Sequence, residues 1–330
     1  MIHRRRFISA LGSSALATPF AVRAQPASAP AGKVWRVGIL TPGPMATRVY
    51  QWDAFRARMR ELGYIEGKNV EYLTRAPDLE GGPVDALAAE LVRARVDVIV
   101  ASTAPPILAA QRATQTIPIV MCPTNADPVA QGFVASLRRP GGNITGISNL
   151  IDETTGKRMQ LARELVPKAT RIAFLWNTSG NTQFEAAGAA ARQLGVRLQS
   201  LEVQTAEALP AAFAAAVKER AEVLMVASNG FTLSVRSNIA ALAIKHRLPS
   251  VFALATNADA GGLLTYGPSQ TGYFGQAAVQ VDKILKGAKV AELPVEQPTR
   301  FDFVINLKTA KAIGIKVPPV VMLQAERVIE

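Results

Sequence analysis

The sequence predicts an α/β protein of two lobes, each built on a parallel sheet and joined by a hinge, and three observations carry that prediction. Short apolar runs alternate with amphipathic stretches throughout the chain after residue 33. Such alternation marks parallel strands covered by helices on both faces. The alternation also runs twice, in the same order. Finally, 330 residues with 49% hydrophobic and 19% charged composition are enough for two well-cored domains and argue against disorder.

From the N-terminus, residues 1–24 read as an export signal. His3-Arg4-Arg5-Arg6 precedes an apolar, Gly/Ser-diluted stretch from Phe7 to Phe20, and Val22-Arg23-Ala24 offers small residues to a signal peptidase. Arg4-Arg5-Arg6-Phe7-Ile8 fits the twin-arginine pattern. Residues 25–32 form a Pro/Ala linker. No mature stretch reaches the roughly 18 apolar residues of a membrane span. A periplasmic protein is therefore expected. Cys122 is the single cysteine, so no internal disulfide can form and the cores must hold the protein.

Strands are expected at residues 35–41, 69–74, 96–101, 117–121, 144–148, 171–176, 196–203, 222–227, 249–253, 262–266 and 301–306. Helices are expected between most of these strands, for example at 50–62, 84–95, 181–194, 209–220 and 273–286. The repeat pairs Arg36-Val37-Gly38-Ile39-Leu40 with Arg171-Ile172-Ala173-Phe174-Leu175, and Val92–Val98 with Val217–Val223. It also pairs Pro118-Ile119-Val120 with Pro249-Ser250-Val251, and Thr124-Asn125-Ala126-Asp127 with Thr256-Asn257-Ala258-Asp259. Four matches in order at offsets of 135, 125, 131 and 132 residues imply two similar lobes.

Physics then places the site. Open parallel sheets bind ligands beyond the carboxyl ends of their strands, where strand order reverses. The loops there span 41–47, 102–106, 122–128, 177–182 and 228–232 and are rich in Ser, Thr, Asn and Gly. Hydroxyls, amides and backbone N–H groups at helix N-termini suit a small polar or carboxylate-bearing ligand.

Other function classes are poorly supplied. The net charge of +12 falls to +8 once the leader is removed, and no aromatic–basic stripe accompanies it, so nucleic acid is not expected. The mature chain has one histidine, His246, at a helix end where the dipole favours it. One His and one Cys build neither a catalytic triad nor a metal site, so no enzyme and no metal are expected. Pro140-Gly141-Gly142-Asn143 and Gly261-Gly262 precede strands and read as turns; no dinucleotide or phosphate fingerprint is present, so no cofactor is expected.

Among candidate ligand contacts, Asp127 either pairs with a ligand ammonium or caps a helix begun by Pro128. Asp259 reads as structural. Asn177 and Asn229 end matching strands of the second lobe and either bond a ligand or cap. Tyr266 either stacks on a ligand or packs at the hinge.

Several segments resemble the ABC-transporter substrate-binding proteins of the tryptophan/tyrosine-binding-protein-like type. They are Trp35–Leu40 with Leu62-Gly63-Tyr64, Pro140–Gly146, Ala260–Pro268, Val281–Lys289, Leu293–Thr299 and Val304–Lys311. The resemblance implies two Rossmann-like lobes in a type I periplasmic-binding fold with three crossovers, lobe 1 at 33–147 plus about 267–295 and lobe 2 at 148–266 plus about 296–330. It implies a monomer that closes by hinge motion on an amino acid or related carboxylate and delivers it to a membrane permease with its ATPase. A ligand-sensing receptor of the same fold is the alternative. Carried over by segment, the ligand contacts are Thr41, Ser102, Thr103, Asp127, Asn177, Asn229 and Tyr266. Many relatives carry aromatic and acidic residues where this chain has Leu254–Asp259, which weighs against an aromatic amino acid.

Overall fold

A computed structural model describes residues 32–79, 82–124, 127–149 and 151–330. The export signal at 1–24 and all but the last residue of the 25–32 linker lie outside the described residues, as do Asn125 and Ala126 of the repeat.

The first sheet is built from β1 (Trp35–Leu40), β2 (Val70–Arg75), β3 (Val98–Ala101), β4 (Ile119–Thr124) and β5 (Ile144–Ser148). Between them run α1 (Val49–Glu61), α2 (Val84–Arg93) and α3 (Ala104–Ala113). All pairings are parallel and the order is β2-β1-β3-β4-β5. Every residue of β3 and β5 is buried, as expected of strands covered on both faces. Val37, Val98 and Val100 face α1, while Leu40, Ile99 and Ala101 face α2 and α3. Gly146 in β5 has φ +135°, and a Cβ there would stand 2.3 Å from the Met121 carbonyl oxygen. Only glycine allows β5 to close on β4 where their register shifts.

The second sheet begins after α4 (Thr155–Leu165) with β6 (Arg171–Trp176). It continues through α5 (Asn181–Leu194), β7 (Arg197–Glu202), α6 (Leu209–Lys218), β8 (Val223–Val226), α7 (Gly230–Ser234) and α8 (Arg236–Lys245). There follow β9 (Ser250–Phe252), α9 (Ala255–Asp259) and β10 (Leu264–Pro268). The order β7-β6-β8-β9-β10 repeats that of the first sheet strand for strand. Ile172, Phe174 and Met225 pack under α4 and α5; Ala173, Leu175 and Val226 pack under α6 and α8. The duplicated sequence pattern is thus a duplicated topology.

The chain then departs from simple duplication. Helix α10 (Gln270–Leu285) follows β10 but packs on the first sheet. Its i, i+3, i+4 stripe of Tyr273, Phe274, Ala277, Ala278 and Val281 explains why: it meets Trp52, Phe55 and Met59 of α1. Trp52 and Phe274 lie edge to face, 5.0 Å between centroids at 85°. Each such fully buried large side chain contributes roughly 1.5–3 kcal/mol. Tyr64 Oη donates to Asp282 Oδ1 at 3.0 Å and so ties the helix down. Residues 293–296 run beside β5, with the Ser148 N–H donating to the Glu296 carbonyl at 3.0 Å. The chain next enters the second sheet as β11 (Phe301–Asn306), followed by α11 (Leu307–Ile313), α12 (Pro319–Met322) and β12 (Arg327–Ile329). It therefore crosses between the sheets three times: after β5, after β10 and before β11.

Two features depart from the sequence reading. β11 pairs antiparallel with β10, so the second sheet is not wholly parallel. β12 extends that sheet beyond β11, a strand too short to show a period in sequence.

Candidate functional site

In sheets of order 2-1-3-4-5, the switch point lies between the first and third strands, at their carboxyl ends. Here that means the ends of β1 and β3 in one lobe and of β6 and β8 in the other. Thr41, Ser102 and Thr103 occupy the first pair of ends; Asn177 and Asn229 occupy the second.

At the first rim, Thr41 is buried and its hydroxyl donates to the Gly43 carbonyl at 2.6 Å. Ser102 is 3% exposed, and its N–H donates to the Leu40 carbonyl at 3.2 Å, bridging the two strand ends. Among the described residues, neither Ser102 Oγ nor Thr103 Oγ1 has a partner, although both atoms are buried. Thr103 has φ +67°, where a β-branched residue is a genuine outlier that costs on the order of 1–3 kcal/mol. It stands at the N-cap of α3 yet makes no capping bond. The helix opens Ala104-Pro105-Pro106, and its two prolines remove N–H donors from the first turn. What this rim offers is hydroxyls.

The second rim is knitted together. Asn229 Nδ2 donates to Asn177 Oδ1 at 2.9 Å. The Asn229 side chain also accepts from the Thr232 N–H at 3.1 Å, and Thr232 Oγ1 accepts from the Asn229 N–H at 3.1 Å, a complete capping box. The Gln183 amide brackets Ser228, accepting from its N–H at 2.8 Å and donating to its carbonyl at 3.0 Å.

Behind Gln183 lies a residue that sequence reasoning missed. Arg158 of α4 is 1% exposed. Its Nη2 donates to Thr155 Oγ1 at 2.7 Å, to the Ile151 carbonyl at 3.2 Å and, at 3.4 Å, to Gln183 Oε1, while Nε and Nη1 have no partner among the described residues. Burial lowers its pKa to about 10, opposed by the charge of Asp152. The signal was present: Arg158 shares the apolar stripe of Met159, Ala162 and Leu165. A charge at such a position is buried and in need of partners. Asp152 Oδ2 accepts from Thr182 Oγ1 at 2.6 Å, and its buried Oδ1 is unpartnered.

Asp127 is exposed, and its Oδ1 accepts from the Val129 N–H at 2.8 Å. It closes a turn; the helix expected after Pro128 does not form. It lines a cavity of about 140 Å³ with Ser148, Asn149, Asp152, Glu153 and Gln297, where the chain first crosses between the sheets. A larger groove of about 460 Å³, lined by Phe184, Ala191 and Leu198, lies between α5 and the edge strand β7 and holds none of the predicted residues.

Tyr266 belongs to the second sheet, two strands along from β8. It lies in β10, stacked on Phe301 of β11 at 5.9 Å and 10° and edge-on to Phe303. Asp259 pairs with Arg327 at 2.8 Å. His246 ends α8 and stacks on Phe213. A further contact was missed: Gln270 Oε1 accepts from Tyr50 Oη of α1 at 2.6 Å and from Thr256 Oγ1 of α9 at 3.4 Å, linking helices that pack on different sheets. Among the described residues, no group of three His, Cys, Asp or Glu could hold a metal, and no helix is long and apolar enough to cross a membrane.

The sequence pattern of the family described as ABC transporter substrate binding protein matches residues 45–329. A curated relative, the tyrosine-binding protein of Clostridioides difficile, is 26% identical over 268 residues, 79% of this chain and 76% of the relative. Among solved structures, a conserved domain protein from Vibrio cholerae superposes with TM-score 0.80 at 24% identity, covering 90% of this chain and 100% of that one. The ABC domain from Streptococcus pneumonia in complex with L-Trp superposes with TM-score 0.78 at 22% identity over the same shares. These two likenesses bear on the fold, and both share its two-lobed α/β build.

Proposed function

We propose that this chain, which belongs to the ABC transporter substrate binding protein family, captures an amino acid or related small carboxylate between its two lobes. The family is one of binding proteins, not enzymes. In this reading the lobes are residues 33–147 with about 267–295 and residues 148–266 with about 296–330. The chain is exported to the periplasm by its first 24 residues and hands its solute to a membrane permease driven by an ATPase. The observation that carries the reading is the pair of buried, unpartnered hydroxyls on Ser102 and Thr103 at the switch point of the first sheet. Buried polar groups are nearly always bonded, so two orphans at a ligand-binding edge call for an incoming acceptor or donor. The tyrosine named for the curated relative and the L-Trp held by the Streptococcus structure support the solute class.

The mechanism is binding with closure. A solute that touches both lobes stabilises the closed arrangement by its differential affinity for the two states, and by no more than that. The three crossovers are where the backbone would flex. A thermal-shift screen of amino acids and small carboxylates tests the reading. A true ligand at a hundredfold excess over Kd adds about 2.7 kcal/mol, which for lobes of this size raises the midpoint by roughly 5–10 °C. If no member of the panel moves the midpoint, the reading fails.

A further inference from the structure

We infer that Arg158 is the anion-recognising group of the cleft, and that the solute it takes carries a carboxylate. The inference rests on the solute-binding reading above and adds the residue that recognises the carboxylate. A guanidinium has five N–H donors and no acceptor. The two on Nη2 are engaged by Ile151, Thr155 and Gln183; the donors on Nε and Nη1 meet no acceptor although the side chain is 1% exposed. No carboxylate forms an ion pair with it among the described residues. Asp152 is near enough to favour its charge. That carboxylate is, however, held to α5 by Thr182 Oγ1 at 2.6 Å. A buried cation with open donors is costly unless an anion arrives to complete it.

The position fits a ligand group better than a purely internal brace. Gln183 couples Arg158 to Ser228 at the end of β8, the switch point of the second sheet. Its other partners, Ile151 and Thr155, belong to the first crossover and the opening turn of α4. The cover over the guanidinium is therefore the first connection between the two sheets. A single cation with three free N–H groups matches a monoanionic carboxylate, and Arg recognises that group through paired hydrogen bonds.

The test pairs each of three amino acids with the amine that lacks its carboxylate: L-tyrosine with tyramine, L-tryptophan with tryptamine and L-leucine with 3-methylbutylamine. Calorimetric titration of the full mature chain is expected to show one amino acid binding and its amine weaker on the order of tenfold or more. Arg158→Gln is expected to lose that discrimination, and Arg158→Lys to keep part of it. An amine that binds the wild type as tightly as its amino acid overturns the inference, and this arm decides even if neither variant folds. A folded Arg158→Gln variant that still prefers the acid overturns it equally. If none of the six probes binds the wild type, the solute reading fails first and takes the inference with it.

Discussion

The two rims occupy equivalent places in a duplicated topology, yet their polar groups are in opposite states. Ala101-Ser102-Thr103 ends β3, and Ala227-Ser228-Asn229 ends β8. Asn229 caps its helix with both halves of a capping box and holds Asn177; Thr103 caps nothing and sits at φ +67°. The Ser228 backbone is bracketed by Gln183, whereas Ser102 Oγ has no partner among the described residues. Duplication supplied two rims, and side-chain choice made one a finished structural joint and the other a set of open donors. In the second lobe, Arg158 behind the joint keeps open donors.

The largest expected effect tests whether the lobes differ in stability as well as in their rims. Burial raises the pKa of Tyr50 and Tyr72 to about 12, and burial with the Asp282 hydrogen bond pushes Tyr64 up further; burial also raises Tyr273. All four pack in the first lobe or on α10. A tyrosine whose folded pKa lies above its unfolded value near 10 binds more protons folded than unfolded in that interval. Stability is therefore full below pH 10 and falls as pH rises toward 12. Hydrogen exchange across that range should strip protection from α1, β2 and α10 while β6 and β8 keep theirs. Simultaneous loss in both lobes would erase the contrast.

Next in size is Asn229→Ala. It removes a cap, about 1 kcal/mol, and strands Asn177 Oδ1 without its donor, about 1–3 kcal/mol. A fall of roughly 2–4 kcal/mol in urea unfolding at constant slope is expected. Solute affinity of the folded variant should change little. A variant as stable as the parent but unable to bind would move Asn229 from joint to ligand contact.

How far this contrast could be seen in advance depends on what a local pattern records. Helix α5 and strands β5, β6 and β11 begin and end where the sequence reading puts them, because apolar periods there stop at Gly, Asn or a change of period. The positions of Ser102, Thr103, Asn177 and Asn229 at strand ends follow from the same logic. Whether their polar groups are committed does not, because that depends on partners such as Gln183, 45 residues from Ser228. The Tyr50–Gln270 bond spans 220 residues and leaves no trace in any window. The direction of β11 against β10 is likewise set by where the third crossover enters the sheet. Arg158 is the intermediate case: its place on an apolar stripe announces burial, but not what it waits for.

The smallest stability change should accompany a clear change in binding, and it probes the open rim directly. Ser102→Ala removes a buried hydroxyl that has no partner, so stability should stay within about 0.5 kcal/mol or rise. Thr103→Gly removes the Cβ that makes φ +67° costly, and part of that relief is offset by the greater freedom of an unfolded glycine. A net gain of up to about 1 kcal/mol is expected. If these hydroxyls wait for a solute, each variant should bind the amino acid that stabilises the wild type more weakly, on the order of tenfold. Stability would then move opposite to affinity at the first rim, and with little effect on affinity at the second. Unfolding midpoints and calorimetric titrations on the same three variants resolve this. Unchanged affinity in both Ser102→Ala and Thr103→Gly would mean that the strained turn serves the fold alone, and the open donors would need another explanation than a solute.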